Sequence, residues 1–216
     1  MSELTLKTLV LGMVQTNCYI VSNSENKEAI VIDPADNADQ IEQYLKANDL
    51  VCKGILLTHG HFDHILAASL LAVKTKAPIH AHEAEVKLLE DPRMNASAQI
   101  RKECSLTPEV LLKDGQSILL AGFTIKVIHT PGHTAGGVCY YFAGHGILIS
   151  GDTLFQESIG RTDLPTGNSK QLVEAIQDKL MCLEDQIKVY PGHGDPTTIG
   201  YERENNVYLS GNWFYE

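Results

Sequence analysis

The chain of 216 residues contains no apolar run near the ~20 residues that a transmembrane helix requires. Its first residues also lack a basic region followed by a long apolar segment, so we expect no secretory signal and no contact with a membrane. Basic residues are few, with 17 Lys and Arg against 27 Asp and Glu, and the formal net charge is −10. Because nucleic acids are negative too, this charge disfavours them as partners and disfavours a nuclease.

Cysteine is also sparse, with five scattered residues, an odd number, and no Cys-x-x-Cys pair. A disulfide framework is therefore not expected, and reduced thiols in a cytoplasmic protein are the simpler interpretation. Two motifs of other enzyme classes are absent as well. The chain has no Gly-x-Ser-x-Gly elbow and no phosphate-binding Gly-rich loop that ends in Lys-Ser or Lys-Thr, which disfavours serine hydrolases and P-loop enzymes.

The composition that remains, 44% hydrophobic and 20% charged with no linker-like segment, predicts a single domain over residues 1–216. Short apolar segments predict strands at Leu4–Leu11, Cys18–Ser22, Ala29–Ile32, Gly54–Thr58, Pro78–His80, Ser117–Leu120, Thr124–Ile128, Val138–Phe142, Ile147–Ile149 and Ile187–Tyr190. Segments of helical character predict helices at Asn37–Ala47, Ile65–Val73, Glu83–Leu89, Met94–Cys104 and Ser169–Leu180. Strands followed by helices, twice along the chain, indicate an α/β fold in which two packed β-sheets have helices outside them.

One pattern occurs four times: an apolar strand ends in a turn, and a side chain of metal-ligand type follows at once. These side chains are His59, His61, Asp63 and His64 after the first such strand, and then His133, Asp152 and His193. Loops on a rigid scaffold are where functional residues concentrate, and several strand ends can converge on one edge of a sandwich. Imidazole and carboxylate groups suit zinc, and also iron or manganese.

The spacing within the first cluster indicates two neighbouring metals. His59 and His61 are two positions apart, so their side chains point the same way in an extended segment. Asp63 and His64 follow at the start of a helix and point elsewhere. His80 and His82 imitate this His-x-His spacing, but no histidine or acidic partner follows them at ligand spacing, so we do not expect them to bind metal.

The segment Thr58-His59-Gly60-His61-Phe62-Asp63-His64 resembles the signature of the metallo-β-lactamase superfamily. The motifs around His133, Asp152 and His193 and the earlier Val31-Ile32-Asp33-Pro34 are similar to other motifs of that family. The resemblance implies an αββα four-layer sandwich with the metals at one edge. It also implies that Asp33 lies behind the metals and holds ligands in place.

Within the family, Gly151–Phe155 and Gly160–Asp163 look most like the glyoxalase II group, which hydrolyses hydroxyacyl-glutathione thioesters. The resemblance implies two divalent metals, foremost zinc: one on His59, His61 and His133, the other on Asp63, His64 and His193, with Asp152 bridging. A metal-bound hydroxide would attack the carbonyl of a small anionic thioester, and Asp63 would orient it and shuttle its proton.

Only 23 residues follow His193, so the helical domain with which full-length glyoxalase II enzymes grip glutathione is not expected. Substrate contacts are then expected from Arg161, or from Tyr201–Tyr208 with Arg203. The aromatic end, Trp213-Phe214-Tyr215, is expected in the core or in a subunit interface. The protein is expected to be a monomer or a homodimer. Two alternatives stay open: a persulfide dioxygenase-like enzyme with one iron on two histidines and an aspartate, and a di-iron electron carrier, which would need a flavin-binding partner domain.

Overall fold

The computed structural model describes residues 3–209, and two six-stranded β-sheets form its centre. The first sheet follows chain order: β1 (Leu4–Leu11), β2 (Thr16–Asn23), β3 (Glu28–Ile32), β4 (Val51–Leu56), β5 (Ile79–His82) and β6 (Val110–Leu112). The first three strands are antiparallel to one another, and β3 to β6 run parallel.

The second sheet contains β7 (Ser117–Leu120), β8 (Phe123–His129), β9 (Val138–Phe142), β10 (Ile147–Gly151), β13 (Lys188–Pro191) and β14 (Thr197–Thr198). Its order is β14-β13-β10-β9-β8-β7, and β10 and β13 are parallel neighbours. A small hairpin of β11 (Leu154–Phe155) and β12 (Ser158–Ile159) lies between β10 and β13 in sequence.

The α-helices are α1 (Ala38–Ala47), α2 (Phe62–Ile65), α3 (Ala68–Thr75), α4 (Val86–Glu90), α5 (Ser169–Ala175) and α6 (Ile199–Asn205). Asn37 caps α1 and Asn168 caps α5, each by accepting the N–H three residues later through its side chain. A π-helical turn, Ile176–Leu180, continues α5, so the predicted helix Ser169–Leu180 exists with a wider last turn. No helix within residues 3–209 is both long enough and apolar enough to cross a membrane.

Three hydrophobic clusters divide the fold into layers. The central cluster, which includes Tyr19, Phe123 and Tyr140, contains side chains of both sheets. A second cluster joins the other face of the first sheet to α1 and α3, and a third joins the second sheet to α5. Burying both faces of both sheets produces the predicted αββα sandwich, and that prediction is confirmed.

The helix predicted at Met94–Cys104 is wrong: the segment contains only a short 3₁₀ turn, Ser97–Ile100. The side chain of Asn95 accepts the N–H of Ser97 and donates to the carbonyl of Cys104, which gives the backbone an alternative to helical bonding. Ala96 and Arg101 also have positive φ angles, which a continuous helix cannot contain. The expectation for Trp213-Phe214-Tyr215 lies outside the described residues.

Candidate metal centre

Four strand ends bring the predicted side chains to one edge of the sandwich. His59 and His61 follow β4 in the first sheet, and His61 is the last extended residue before α2, which contains Asp63 and His64. His133 comes from the loop after β8, while Asp152 and His193 follow the parallel neighbours β10 and β13. The backbone therefore changes from extended to helical between His61 and Asp63, and the two pairs of side chains lie on different parts of the chain.

Three histidines form one group, which we call the first triad: His59, His61 and His133. Each ring contributes one nitrogen, and these three nitrogens lie within 4.8 Å of one another. His133 Nε2 is 2.9 Å from His61 Nδ1 and 3.2 Å from His59 Nε2. Three nitrogens that converge in this way can share one cation, which is how zinc takes imidazole ligands.

Asp63, His64 and His193 form the second triad, and their ligand atoms also lie within 4.8 Å of one another. His193 Nε2 is 3.1 Å from Asp63 Oδ2, and His64 Nε2 is 3.5 Å from that oxygen. Asp152 stands between the triads: its Oδ1 is 3.4 Å from His64 Nε2, and its Oδ2 is 3.6 Å from His133 Nε2. This position suits a carboxylate that two cations share.

The hydrogen bonding of these side chains fits bound metal. His64 Nε2 and Asp152 Oδ1 are buried and have no hydrogen-bond partner. Buried polar atoms without partners are rare in folded proteins, because each costs free energy of desolvation. His64 Nε2 and Asp152 Oδ1 face each other across the second triad, where one cation would satisfy both.

The first triad is an environment for neutral imidazole. Burial, followed by the neighbouring histidines, holds the pKa of His59 well below its usual value. Burial and then His133 lower the pKa of His61 to about 3, although Asp152 and Asp63 oppose the change. Neutral imidazole has the lone pair that a metal ion needs, so these two rings need not lose a proton to bind one.

The carboxylates in and beside the second triad, Asp63, Asp152 and Asp33, determine its electrostatics. Although burial acts in the opposite direction, Asp63, Asp152 and Asp33 raise the pKa of His64, and Asp63 and Asp152 raise that of His193. In turn the histidines hold the pKa of Asp63 and Asp152 below the usual range despite their burial. These shifts indicate a negative potential, which favours a cation in the second triad.

Asp33 lies directly behind Thr58 and His64. One carboxylate oxygen accepts the N–H of Thr58 at 2.7 Å, and the other accepts the Thr58 hydroxyl at 2.6 Å. That second oxygen is also 2.9 Å from His64 Nδ1, so it fixes the ring with Nε2 toward the second triad. Orienting a ligand through its remote nitrogen is a common role for residues behind metal ligands.

The sequence interpretation missed the polar start of β2, which holds the loop of His193. Asn17 Nδ2 donates to the carbonyls of Pro191 and Gly194, each at 3.0 Å, and the Tyr19 hydroxyl donates to Pro191. Thr16 Oγ1 donates to Asp63 Oδ2 at 3.1 Å. The available signal was two polar residues, Thr16 and Asn17, immediately before the apolar segment Cys18–Ser22.

Close packing around Asp152 requires glycine at position 192. A Cβ atom there would lie 2.1 Å from Asp152 Oδ1 and 2.7 Å from the His64 ring, nearer than side chains approach. Gly192 also donates its N–H to the carbonyl of Gly151, which joins the two ligand loops. The Pro-Gly turn thus lets the His193 loop lie against Asp152.

A cavity of about 320 Å³ opens beside the centre. Five candidate ligands reach it, and its other wall is apolar: Val14, Phe62, Ala96, Phe155 and Leu164. Arg161 lines it too, and its guanidinium binds Asp163 through two hydrogen bonds of 2.7 Å at the surface. The carbonyl of Arg161 lies 2.7 Å from His133 Nδ1 and orients that ring.

The other predicted substrate contact is corrected by the structure. Arg203 donates to the carbonyls of Met181 and Leu183 and pairs with Asp185, and it does not line the cavity. Tyr201 is likewise turned away, toward Glu157. The segment 201–208 forms part of α6 and a following 3₁₀ turn, whose contacts are with the body of the fold.

His80 and His82 are not part of the metal-type groups found among residues 3–209. His80 lies against the carbonyls of Ile55 and Pro78, while His82 stacks on His129 with ring centroids 4.0 Å apart.

Comparison with known proteins gives consistent matches over nearly the whole chain. Residues 11–195 match the family described as "Metallo-beta-lactamase superfamily". The chain is 36% identical over 207 residues to "Probable metallo-hydrolase YqgX" of Bacillus subtilis (strain 168), covering 95% of this chain and 97% of that protein. It is 32% identical over 210 residues to "Hydroxyacylglutathione hydrolase GloC" of Haemophilus influenzae (strain ATCC 51907 / DSM 11121 / KW20 / Rd), covering 96% and 99%.

Solved structures agree. The BLEG-1 B3 metallo-beta-lactamase is 40% identical, with a TM-score of 0.91 over 96% of this chain and all of that one. TTHA1623 in a di-iron-bound form is 32% identical, with a TM-score of 0.84 over 94% and 100%. ETHE1 from Myxococcus xanthus is 26% identical, with a TM-score of 0.81 over 96% and 85%.

Proposed function

Because this chain belongs to the metallo-beta-lactamase superfamily, we propose that it is a metal-dependent hydrolase of hydroxyacylglutathione-type thioesters. The observation that carries the proposal is the pair of triads that meet at Asp152, with buried ligand atoms that lack partners within the protein. The similarity to GloC, whose name states hydroxyacylglutathione hydrolysis, supports the choice of substrate.

In this proposal the first triad would hold one divalent ion and the second triad another, and Asp152, which lies between the triads, would be available to both. When bound, such ions lower the pKa of a coordinated water from 15.7 to about 7 and polarise a carbonyl oxygen. Zinc is our first choice, and the similarity to a protein solved in a di-iron form makes iron the second. Manganese completes the set that this mixture of imidazole and carboxylate accepts.

In this proposal Asp63 is the base that accepts the proton of the attacking water. Thr16 Oγ1 and His193 Nε2 engage its Oδ2, so Oδ1 is the oxygen that is left to accept a proton from water. The side chain lines the cavity, where a thioester carbonyl would lie. Thr16 therefore fixes the carboxylate for both roles that we assign to it, as ligand and as base.

The apolar wall of the cavity excludes water around the acyl group, and Phe155 and Leu164 are the side chains available to contact it. Arg161 is the cationic side chain among those that line the cavity, so an anionic thioester would meet it there. Because Asp163 already occupies its guanidinium, we expect this contact to be weak, and the Michaelis constant for a glutathione thioester to be high.

The test combines elemental analysis of the purified chain with steady-state kinetics on S-lactoylglutathione and on thioesters of other thiols. We expect two transition-metal ions per chain and metal-dependent hydrolysis of S-lactoylglutathione. No hydrolysis of any thioester by the fully metallated protein would refute the proposal. Equal rates for all thiols would indicate a thioesterase that does not recognise glutathione. A β-lactam should be assayed as well, because of the similarity to BLEG-1.

The similarity to ETHE1 supports one alternative, a persulfide dioxygenase-like oxidoreductase with a single iron. The completeness of the second triad favours the hydrolase, because a mononuclear centre does not need those ligands. One iron per chain that zinc cannot replace, together with oxygen consumption on a persulfide and no thioester hydrolysis, would establish the alternative.

A further inference from the structure

Glu85 is a fully buried acid that the proposed mechanism does not use. It ends the 3₁₀ turn Glu83–Glu85, directly after β5, and 1% of its surface is exposed. One carboxylate oxygen accepts the N–H of Gly60 at 2.8 Å, and the other accepts the N–H of Gly136 at 2.7 Å. No ion pair is formed by Glu85 among residues 3–209. Its two backbone partners are these N–H groups, and the Thr134 side chain also interacts with the carboxyl group.

Those two glycines belong to the loops of the first triad. Gly60 lies between His59 and His61, in the loop that follows β4 of the first sheet. Gly136 lies three residues after His133, in the loop that follows β8 of the second sheet. One carboxylate therefore connects the two halves of the triad across the sandwich. We call this arrangement the Glu85 bridge.

The surrounding packing is specific to the bridge. A Cβ atom on Gly136 would lie 2.4 Å from the Glu85 backbone nitrogen and 2.5 Å from its carboxylate. The His133 loop thus approaches Glu85 as closely as it does only because residue 136 is glycine. A carboxylate has two oxygens and can accept both N–H groups, whereas an amide would present N–H₂ to one of them and leave it unpaired.

We propose that Glu85 is a positioning residue that sets the separation of His133 from His59 and His61, and so tunes the affinity of the first triad for metal. The inference rests on the metal centre of the proposed function, but not on its substrate. Residues behind metal ligands typically change metal affinity by roughly tenfold to a hundredfold when they are replaced.

The chain offers a matched control. Glu202 in α6 is also fully buried, and its carboxylate accepts the N–H of Glu157, the Thr197 hydroxyl and the Asn206 amide. None of these partners is in a loop of the first triad. Glu202→Gln should therefore cost stability of the same kind as Glu85→Gln without disturbing the three histidines.

The experiment titrates the metal-stripped full chain with Zn²⁺ in competition with a chromophoric chelator. We expect Glu85→Gln to weaken the tighter Zn²⁺ site by about tenfold to a hundredfold, and Glu202→Gln to leave it within about threefold of wild type. Unchanged Zn²⁺ affinity in Glu85→Gln, or equal weakening in both variants, would overturn the inference.

A second measurement covers the case in which Glu85→Gln does not fold. In the wild-type chain, the amide protons of Gly60 and Gly136 should be shifted downfield and slow to exchange, as charge-assisted hydrogen bonds are strong. Fast exchange of either proton would show that the bridge is absent. If the wild-type chain binds no Zn²⁺ while both protons are protected, the proposed function fails but the bridge stands, and its role in metal affinity is refuted.

Discussion

The two triads differ in burial and in charge. The first consists of three buried imidazoles, whereas the second includes a carboxylate and His193, whose side chain is 29% exposed. Two of the first triad's rings have a lowered pKa, while the carboxylates raise the pKa of His64 and His193. A metal in the first triad would be held by three buried neutral imidazoles, and one in the second triad by carboxylate charge and a partly exposed histidine.

The supporting contacts differ in the same way. His133 is oriented by the Arg161 carbonyl, and its loop is tied to the His59–His61 loop by Glu85. The His193 loop depends on Asn17, a residue of the opposite sheet, which binds it through two carbonyls. From this comparison we expect the first triad to bind a metal ion more tightly than the second triad.

Metal removal has the largest expected effect. Chelation should reduce thioester hydrolysis by more than about a thousandfold, because uncoordinated water has a pKa of 15.7 instead of about 7. The second site should empty before the first, which elemental analysis at intervals during dialysis would detect. Release of both ions at the same rate would contradict the proposed difference in metal affinity between the triads.

Asp63→Asn should have the next largest effect. The amide keeps the size but cannot take a proton, so kcat should fall by about a hundredfold or more. Thermal unfolding and kinetics of this variant would be compared with Asp195→Asn, which changes an exposed acid two residues after His193. Turnover within about tenfold of wild type would show that Asp63 has no chemical role.

Asn17→Ala tests the support of the second triad. Loss of two buried hydrogen bonds should lower the free energy of unfolding by about 1–3 kcal/mol, and the second ion should bind more weakly while the first is unaffected. Asn95→Ala is the control, because Asn95 Nδ2 also donates to two carbonyls, those of Leu89 and Cys104. If both variants bind two ions as the wild type does, Asn17 supports only stability.

The smallest effect is expected at the cavity mouth. Arg161→Ala should raise the Michaelis constant for an anionic thioester by about threefold to tenfold, as exposed ionic contacts are weak. Asp163→Asn should lower it, because the guanidinium is then free to bind the substrate. Kinetics with a neutral thioester should show neither change, and a change of equal size there would exclude a charge contact.

The α/β sandwich and the strand-end pattern could be predicted because their signals are local. Strands such as Leu4–Leu11 can be predicted from a few consecutive, mostly apolar residues. Each group of candidate ligands follows soon after the strand that positions it. The error at Met94–Cys104 shows the limit of that approach. There the side chain of Asn95 competes with helical bonding through Cys104, nine residues away.

The amino-acid sequence by itself determined the seven candidate ligands and the layers of sheets and helices, because the residue types and their short spacing suffice for these. The position of Asp33 behind the ligands followed from the resemblance to the family. Only the tertiary structure decided which side chains support the centre. Asn17 reaches a carbonyl 174 residues away, and Glu85 reaches an amide 51 residues away. The tertiary structure also shows that Arg203 lies away from the cavity, where it binds the Met181 carbonyl, and that Arg161 pairs with Asp163. Such contacts depend on how separate strands pack together, and no spacing along the chain records that.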